Sequence, residues 1–424
     1  MTTKSLLLGT IAGIAVIGAA QAADLPMTKG EAVEYVKVCT AFGPGFFYIP
    51  GTDTCLKIGG EIRADYRAFG GKNFSRNDNR SAFNTEARIW FDARTQTDWG
   101  MLRSYFQIDA DSHPISKQGR ASGGYNGNTF TIDKAFIQFG GLTAGYAHSF
   151  FGFYDNEYGD TIWAPYYTEV NTVNLLAYTA QFGGGFSATL SIEDGRDHRV
   201  NGFATTNTYY AAQGGQQVPD VVGQLRWDQN WGSLAVQAAG HQFRSAQLFD
   251  TTGAPIASPN KSKYGWAAGG TALIKLPFID GGHFIVEGQY ADGALDYLGA
   301  GNTWYANSDY FLNSNANIRS GKGWSVTAEL GGNITPVLNA NLVGAYIDTK
   351  YDDLLTTDAS SSLKEYTLAG NLTYTIVKGL TAAAEVAYTH GKFDNWSGVS
   401  TGTNTAPVKD YNVWQVGIRL KRVF

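Results

Sequence analysis

A two-residue alternation constrains this chain more than any other feature. From Leu56 on, Leu56, Ile58, Gly60, Ile62, Ala64 and Tyr66 fall on one face of an extended strand. Lys57, Gly59, Glu61, Arg63, Asp65 and Arg67 fall on the other, because successive side chains of a strand point to opposite faces. Residues 83–94 repeat the design: Phe83, Thr85, Ala87, Ile89, Phe91 and Ala93 oppose Asn84, Glu86, Arg88, Trp90, Asp92 and Arg94. So does the next run, with Leu102, Ser104, Phe106, Ile108 and Ala110 against Arg103, Tyr105, Gln107, Asp109 and Asp111.

A soluble sandwich also alternates, but its apolar face is core and carries large Leu, Ile, Val and Phe. Here many apolar-face residues are small, and the opposite face mixes both signs of charge with Tyr and Trp. That combination suits lipid outside and a polar lumen inside. Slipping the first strand by one residue would place Lys57, Arg63 and Arg67 in lipid, at about 2–4 kcal/mol for each cation near the midplane.

The connections extend the pattern along the chain. Short, glycine-marked turns recur near 98–100, 140–141, 183–185, 230–232, 277–282, 335–336 and 378–379. Longer polar segments lie near 70–82, 112–129, 152–173, 195–219, 245–262, 292–321, 351–362 and 394–408. Strict alternation of the two kinds predicts about sixteen antiparallel strands, an even number as in bacterial outer-membrane barrels, with both chain ends on the short-turn side. The expected fold is all-β: one transmembrane antiparallel barrel over residues 23–424. Closing the ladder removes the unpaired backbone groups that lipid makes costly.

The two ends agree with export to a membrane. Lys4, the apolar run from Leu6 to Ile17 and Ala20-Gln21-Ala22 have the order of a secretory signal peptide, cleaved after Ala22. The run is short for a bilayer span of roughly 20 residues. At the other end Trp414, Val416, Ile418, Leu420 and Phe424 share one face, and a terminal aromatic on the lipid side marks chains delivered to the bacterial outer membrane. Mean hydropathy is −0.20, and no second apolar stretch is long enough to cross as a helix. Glycine at 52, with 24 Tyr, 24 Phe and 10 Trp against 3 Met, suits strands and turns. Without the leader, 31 basic and 37 acidic residues leave a charge of −6, which gives no bias toward nucleic acid. Cys39 and Cys55 are most simply one disulfide in an exported chain, two free thiols being the alternative.

Three runs carry a specific resemblance: EAVEYVKVC over 31–39, FFYIPGTDTCLKIGG over 46–60 and AFIQFGGLTAG over 135–145. With Ser149-Phe150-Phe151 and the last strand, the chain resembles the alphaproteobacterial (Rhizobiales-type) outer-membrane porins. The resemblance implies a homotrimer in outer-membrane lipid and lipopolysaccharide, with the third long loop folded into the barrel. The family's Ser-Phe-Phe is often followed by Asp; Gly152 stands there in this chain, which puts one acidic lining group in question.

Segment 152–173 is the constriction candidate, because its aromatics suit an inner wall better than a solvated tip. It carries Asp155, Glu157, Asp160 and Glu169. Facing it, the lumenal positions of the first strands offer Arg63, Arg67, Arg88, Arg94 and Arg103. Acid on a loop opposite arginine on a wall would set a transverse field that orients small polar solutes. The plainer reading is that these charges pair with Glu61, Asp65, Glu86 and Asp92 and hold the wall.

Catalytic signals are weak. The histidines show no metal spacing, and His148 and Ser149 point to opposite faces as strand neighbours. Asp109, Asp111 and His113 share a face near a strand end, where a solvated rim is the plainer reading than a cation site. Neither Gly-x-Ser-x-Gly nor a phosphate loop occurs. No cofactor or metal is expected. The leading expectation is a passive water-filled channel for small hydrophilic solutes and ions. The alternatives are a sugar- or nutrient-selective channel with Trp90, Tyr105 and Trp163 as a stacking track, and a secreted soluble β-protein.

Overall fold

The computed structural model describes residues 37–424 apart from 73, 75, 77, 116–126, 155–158, 201–202, 205–213, 247–251, 253, 256–261, 304–306, 313–316, 353–360 and 395–409. The leader expected over residues 1–22 and the loop acids Asp155 and Glu157 lie outside the described residues.

Sixteen strands form one closed antiparallel sheet. The first eight are β1 (Cys55–Gly71), β2 (Ser81–Thr97), β3 (Gly100–Ser112), β4 (Asn128–Phe139), β5 (Leu142–His148), β6 (Thr172–Gly183), β7 (Phe186–Glu193) and β8 (Asp220–Gln229). The rest are β9 (Gly232–Arg244), β10 (Ser262–Lys275), β11 (Asp280–Asp292), β12 (Ile318–Thr335), β13 (Leu338–Tyr351), β14 (Ser361–Val377), β15 (Leu380–Asp394) and β16 (Asp410–Val423). Each pairs with its neighbour in the chain, and β16 pairs back on β1 from Val413↔Gly71 to Val423↔Glu61. The last residue completes the seam: Phe424 N–H donates to Gly60 at 2.9 Å and Gly60 N–H to Phe424 at 3.1 Å. Short turns and long loops alternate at the places the alternation predicts.

The two faces divide as the periodicity requires. Ile58, Ile62, Phe83, Ile418 and Leu420 are exposed on the outside, while Glu61, Asp65, Glu86, Asp92 and Asp109 are buried within. Aromatic pairs mark both rims of the outer face. Trp266–Tyr290 and Trp324–Tyr346 lie toward the long-loop end, at 5.4 and 5.0 Å between ring centres. Phe186 stacks on Trp227 at the short-turn end. Such belts sit at the two interfaces of a bilayer.

One register shift matters inside. Asp133 is an extra residue of β4, set between the pairs Gln107↔Lys134 and Ile108↔Ile132. Before it, Phe130 and Ile132 face outward; after it, Ile137 and Phe139 do. The bulge therefore turns Lys134 and Phe136 into the lumen, as an inserted residue reverses the facing of all that follow.

A small appendage packs on the start of β1 at the short-turn end. Cys39 and Cys55 form a disulfide, Cys39 N–H donates to Phe46 O at 2.9 Å, and Phe47–Tyr48 pair with Leu56 and Cys55.

Candidate functional site in the barrel lumen

The chain leaves β5 at His148 and rejoins the wall at Thr172. The described part of residues 149–171 between them lies inside the barrel. Phe151, Phe153, Tyr154, Tyr166 and Tyr167 are buried in one cluster with Leu295, Tyr297 and Leu298 of the loop after β11. Tyr351 and Tyr411 of the wall complete it. Burying such rings offsets the ordering of a long loop, since each aromatic hides roughly 150–250 Å². The loop base also explains an exception to the polar lumen. Val173 and Leu175 of β6 face inward and are buried, packed against Phe150.

A row of wall glutamates holds the loop in place. Glu193 of β7 accepts Ser149 Oγ at 2.8 Å and Phe150 N–H at 3.3 Å. Glu329 of β12 accepts Tyr154 OH at 2.5 Å and Asp160 N–H at 3.1 Å. Glu385 of β15 accepts three successive backbone N–H groups, from Ile162 at 2.6 Å, Trp163 at 2.9 Å and Ala164 at 2.8 Å. Glu365 of β14 takes the hydroxyls of Tyr167 and Tyr411. Hydrogen bonds to a charged acceptor contribute about 1.5–3 kcal/mol each. Burial first, and then the neighbouring carboxylates, push the Tyr154 and Tyr167 phenols well above their ordinary range, so both stay protonated donors.

Gly152 belongs to the same arrangement. Its φ is +90°, and a β-carbon there would lie 2.6 Å from the carboxylate of Glu287. An aspartate would be strained and would face that carboxylate directly, so the barrel wall explains the residue found.

Trp163 anchors the loop's far side. Its Nε1 donates to Asp65 at 2.8 Å, and the guanidinium groups of Arg419 and Arg67 lie 5.2 and 5.7 Å from its ring centre. Asp65 in turn accepts Arg419 Nε at 2.8 Å.

Between the loop and the wall of β1–β4 and β16 lies a cavity of about 880 Å³. Arg63, Arg67, Arg88, Lys134 and Arg419 line it, outnumbered by Asp65, Glu86, Asp109, Asp111, Asp133, Glu169 and Asp197. The arginines carry partners. Arg63 pairs with Glu61 and with Glu86 at 3.2 Å, and Arg88 with Glu86 and with Asp109 at 3.0 Å. Arg67 donates to Gln415 at 2.7 Å beneath Trp163. Arg94 and Arg103 share Asp92, at 2.7 and 3.0 Å. Arg94 sits against the Phe46 ring of the appendage, and Arg103 borders a second cavity.

Of the two loop acids within the described residues, Glu169 lines the larger cavity and accepts Asn302 Nδ2 at 2.7 Å. Asp160 lies beside Glu329 and His283, the imidazole Nε2 standing 4.0 Å from it. Of the three aromatics proposed as a track, Trp163 borders the larger cavity and Tyr105 the second. Trp90 lies against Gly59. Ser149 Oγ is turned to Glu193. Asp109 is committed to Arg88, and Asp111 accepts Asn84 Nδ2 at 3.3 Å.

The sequence reading missed the loop-holding glutamates and Arg419. A signal was there: Glu329 and Glu385 are single carboxylates at lumenal positions of otherwise neutral strand stretches. Nothing local says which loop they meet.

Comparison with known proteins agrees with this geometry. Over 242 residues the chain is 36% identical to the porin Omp2b of Brucella suis biovar 1 (strain 1330). The same identity holds for Omp2b of Brucella abortus (strain 2308). Each match covers 55% of this chain and 65% of the relative, so it spans just under two thirds of the relatives' length. Among solved structures, the outer membrane channel DcaP of Acinetobacter baumannii superposes with a TM-score of 0.64 at 16% identity, over 89% of this chain and 99% of that one. The anion-selective porin from Comamonas acidovorans gives 0.50 at 13%, over 88% and 100%. At such identities the likeness is one of fold. A family model described as porin subfamily matches residues 24–417, and with the closed barrel and its inward loop it follows that the chain belongs to the porin subfamily and is an outer-membrane β-barrel.

Proposed function

We propose that this barrel is a passive water-filled channel for small hydrophilic solutes and ions, limited by the gap between loop 149–171 and the wall of β1–β4 and β16. The observation that carries the reading is Glu385 binding three successive loop N–H groups. That anchorage sets the loop at a fixed distance from a charged wall and leaves the polar cavity of about 880 Å³ beside it. A solute crossing there exchanges hydration for paired charges and amides, which is what rapid, unselective passage needs.

In this reading Asp155, Glu157, Asp160 and Glu169 are the acidic side of the constriction, and Arg63, Arg67, Arg88, Arg94 and Arg103 the basic side. The interleaving of those arginines with Glu61, Glu86, Asp92 and Asp109 favours a weak field and a mild cation preference over a strong one. The barrel would work as a trimer in outer-membrane lipid and lipopolysaccharide, its leader removed after Ala22.

Planar-bilayer recording of the detergent-purified protein tests the proposal. Conductance steps that grow nearly in proportion to salt, in groups of three, with a small cation-directed reversal potential, are the expected result. Well-folded protein that inserts and gives no steps would sink it.

A further inference from the structure

The second lumenal cavity, about 470 Å³, lies on the short-turn side of the loop base between β3, β4, β5 and β8. Its lining differs from that of the larger chamber. Arg103, Lys134 and Arg226 border it together with Tyr105, Phe136 and Phe153, and among the described residues no carboxylate lines it. We propose that this chamber is a binding subsite for planar aromatic carboxylates. The inference rests on the channel reading only for the route by which such a solute arrives.

The rings and guanidinium groups are already stacked. Tyr105 and Phe136 lie 5.3 Å apart with 21° between their planes. The Arg103 guanidinium lies 5.1 Å from the Tyr105 ring centre and 5.4 Å from that of Phe136. Arg226 lies 4.3 Å over Phe153 on the loop. The edges of both guanidinium groups are held. Arg103 donates to Asp92 at 3.0 Å and to Gln138 at 3.1 Å, and Arg226 donates to Asp228 at 2.9 Å. With edges occupied, these cations offer their faces, and a flat π-system is what a guanidinium face and an aromatic face both accept.

The carboxylate end has its own partner. The Lys134 ammonium has no hydrogen-bond or ion-pair partner among the described residues, and the residue borders both cavities. The bulge at Asp133 is what turns it and Phe136 inward. A strand without that bulge would send both to lipid, where a lysine is costly. One backbone irregularity thus supplies the ammonium and one aromatic wall of the same chamber. The held guanidinium groups keep their faces in place for a flat ring at little reorganisation cost, Lys134 supplies the charge for an anion, and the rings choose among anions by shape.

Saturation-transfer NMR on the detergent-purified full chain tests this with three probes: benzoate, cyclohexanecarboxylate of equal charge, and neutral benzamide. Benzoate is expected to bind about three- to fivefold more tightly than either comparator, as one added aromatic contact or one charge contact provides. Lys134→Gln should remove the advantage over benzamide, and Phe136→Leu the advantage over cyclohexanecarboxylate. Equal binding of the three probes, or benzoate binding that neither variant changes, overturns the proposal. Because binding is read in detergent, a barrel that gave no conductance steps would defeat the channel reading and leave this result standing. In an open channel, millimolar benzoate should in addition raise current noise more than cyclohexanecarboxylate does.

Discussion

Trp163 lies over Gly417 so closely that a β-carbon on the glycine would come within 2.6 Å of the indole Cζ3. The lumenal glycine of β16 is therefore the seat of the loop's anchor. Gly417→Ala should displace the indole from between Arg67 and Arg419, at about 1–3 kcal/mol as for overpacking a filled site. Acrylamide quenching of tryptophan emission should rise while the barrel's heat-modifiable migration in gels stays unchanged. An unaltered quenching curve would show that Trp163 is held without Gly417.

Glu385→Ala should do more. It leaves Ile162, Trp163 and Ala164 N–H without their acceptor, at about 1–3 kcal/mol for each donor that stays dry. The loop should leave the wall, so single-channel conductance and the rate of liposome swelling with larger sugars both rise. Glu385→Gln, which keeps an acceptor oxygen, should have a smaller effect. Conductance equal to that of the unmodified protein in both variants would place the limiting section elsewhere.

Charge in the larger chamber should set ion preference. Glu169→Gln removes a lining carboxylate held by Asn302, and Arg88→Gln removes a base already shared with Glu86 and Asp109. The first should lower the cation preference read from the reversal potential in a salt gradient, and the second should raise it. Shifts of the opposite sign would exclude this chamber as the selective section.

The long-loop end should loosen as pH rises. His198 is buried; although burial disfavours its charge, hydrogen bonds to Asp296 and Glu193 outweigh that and hold it up at about 10. Its stabilising share is complete below its ordinary value of 6.5 and is lost as pH climbs through about 10. Burial, against the pull of His241, pushes Asp309 up to about 7. Its ionised form is disfavoured in the folded loop, so a penalty grows from its ordinary 3.8 and is complete above about 7. Both signs agree. Amide protection in the loop after β11, taken relative to the base-catalysed intrinsic rate at each pH, should be greater at pH 6 than at pH 9, and Asp309→Asn should flatten the lower part of that profile.

Reduction of the Cys39–Cys55 disulfide should leave the barrel intact. The bond closes an appendage of sequence separation 16 at the short-turn end, and a loop of that size is worth about 3 kcal/mol to its own ordering. Cys39→Ser/Cys55→Ser should expose residues 37–54 to protease while the sixteen strands keep their far-UV signature. Loss of the folded gel band on reduction would contradict this.

How much of this was legible beforehand follows from the range of each interaction. Leu56 to Arg67 declared their two faces within twelve residues, because lipid and water sort neighbouring side chains by periodicity alone. The strand number, the short-turn side and the outward face of Phe424 are of that kind. The bulge at Asp133 was not legible, since one inserted residue between two alternating runs reads as either phase. The loop's capture was beyond reach as well: Trp163 and Glu385 are 222 residues apart. The sequence by itself determined that the chain is a lipid-faced barrel with a charged interior and an aromatic loop suited to an inner wall. Only the tertiary structure decided which glutamates hold that loop, which arginines are already paired, and where a chamber lined by Arg103, Lys134 and Arg226 opens. Closure of the barrel brings distant strands together, and charges choose partners by distance in space, which the order of residues does not specify.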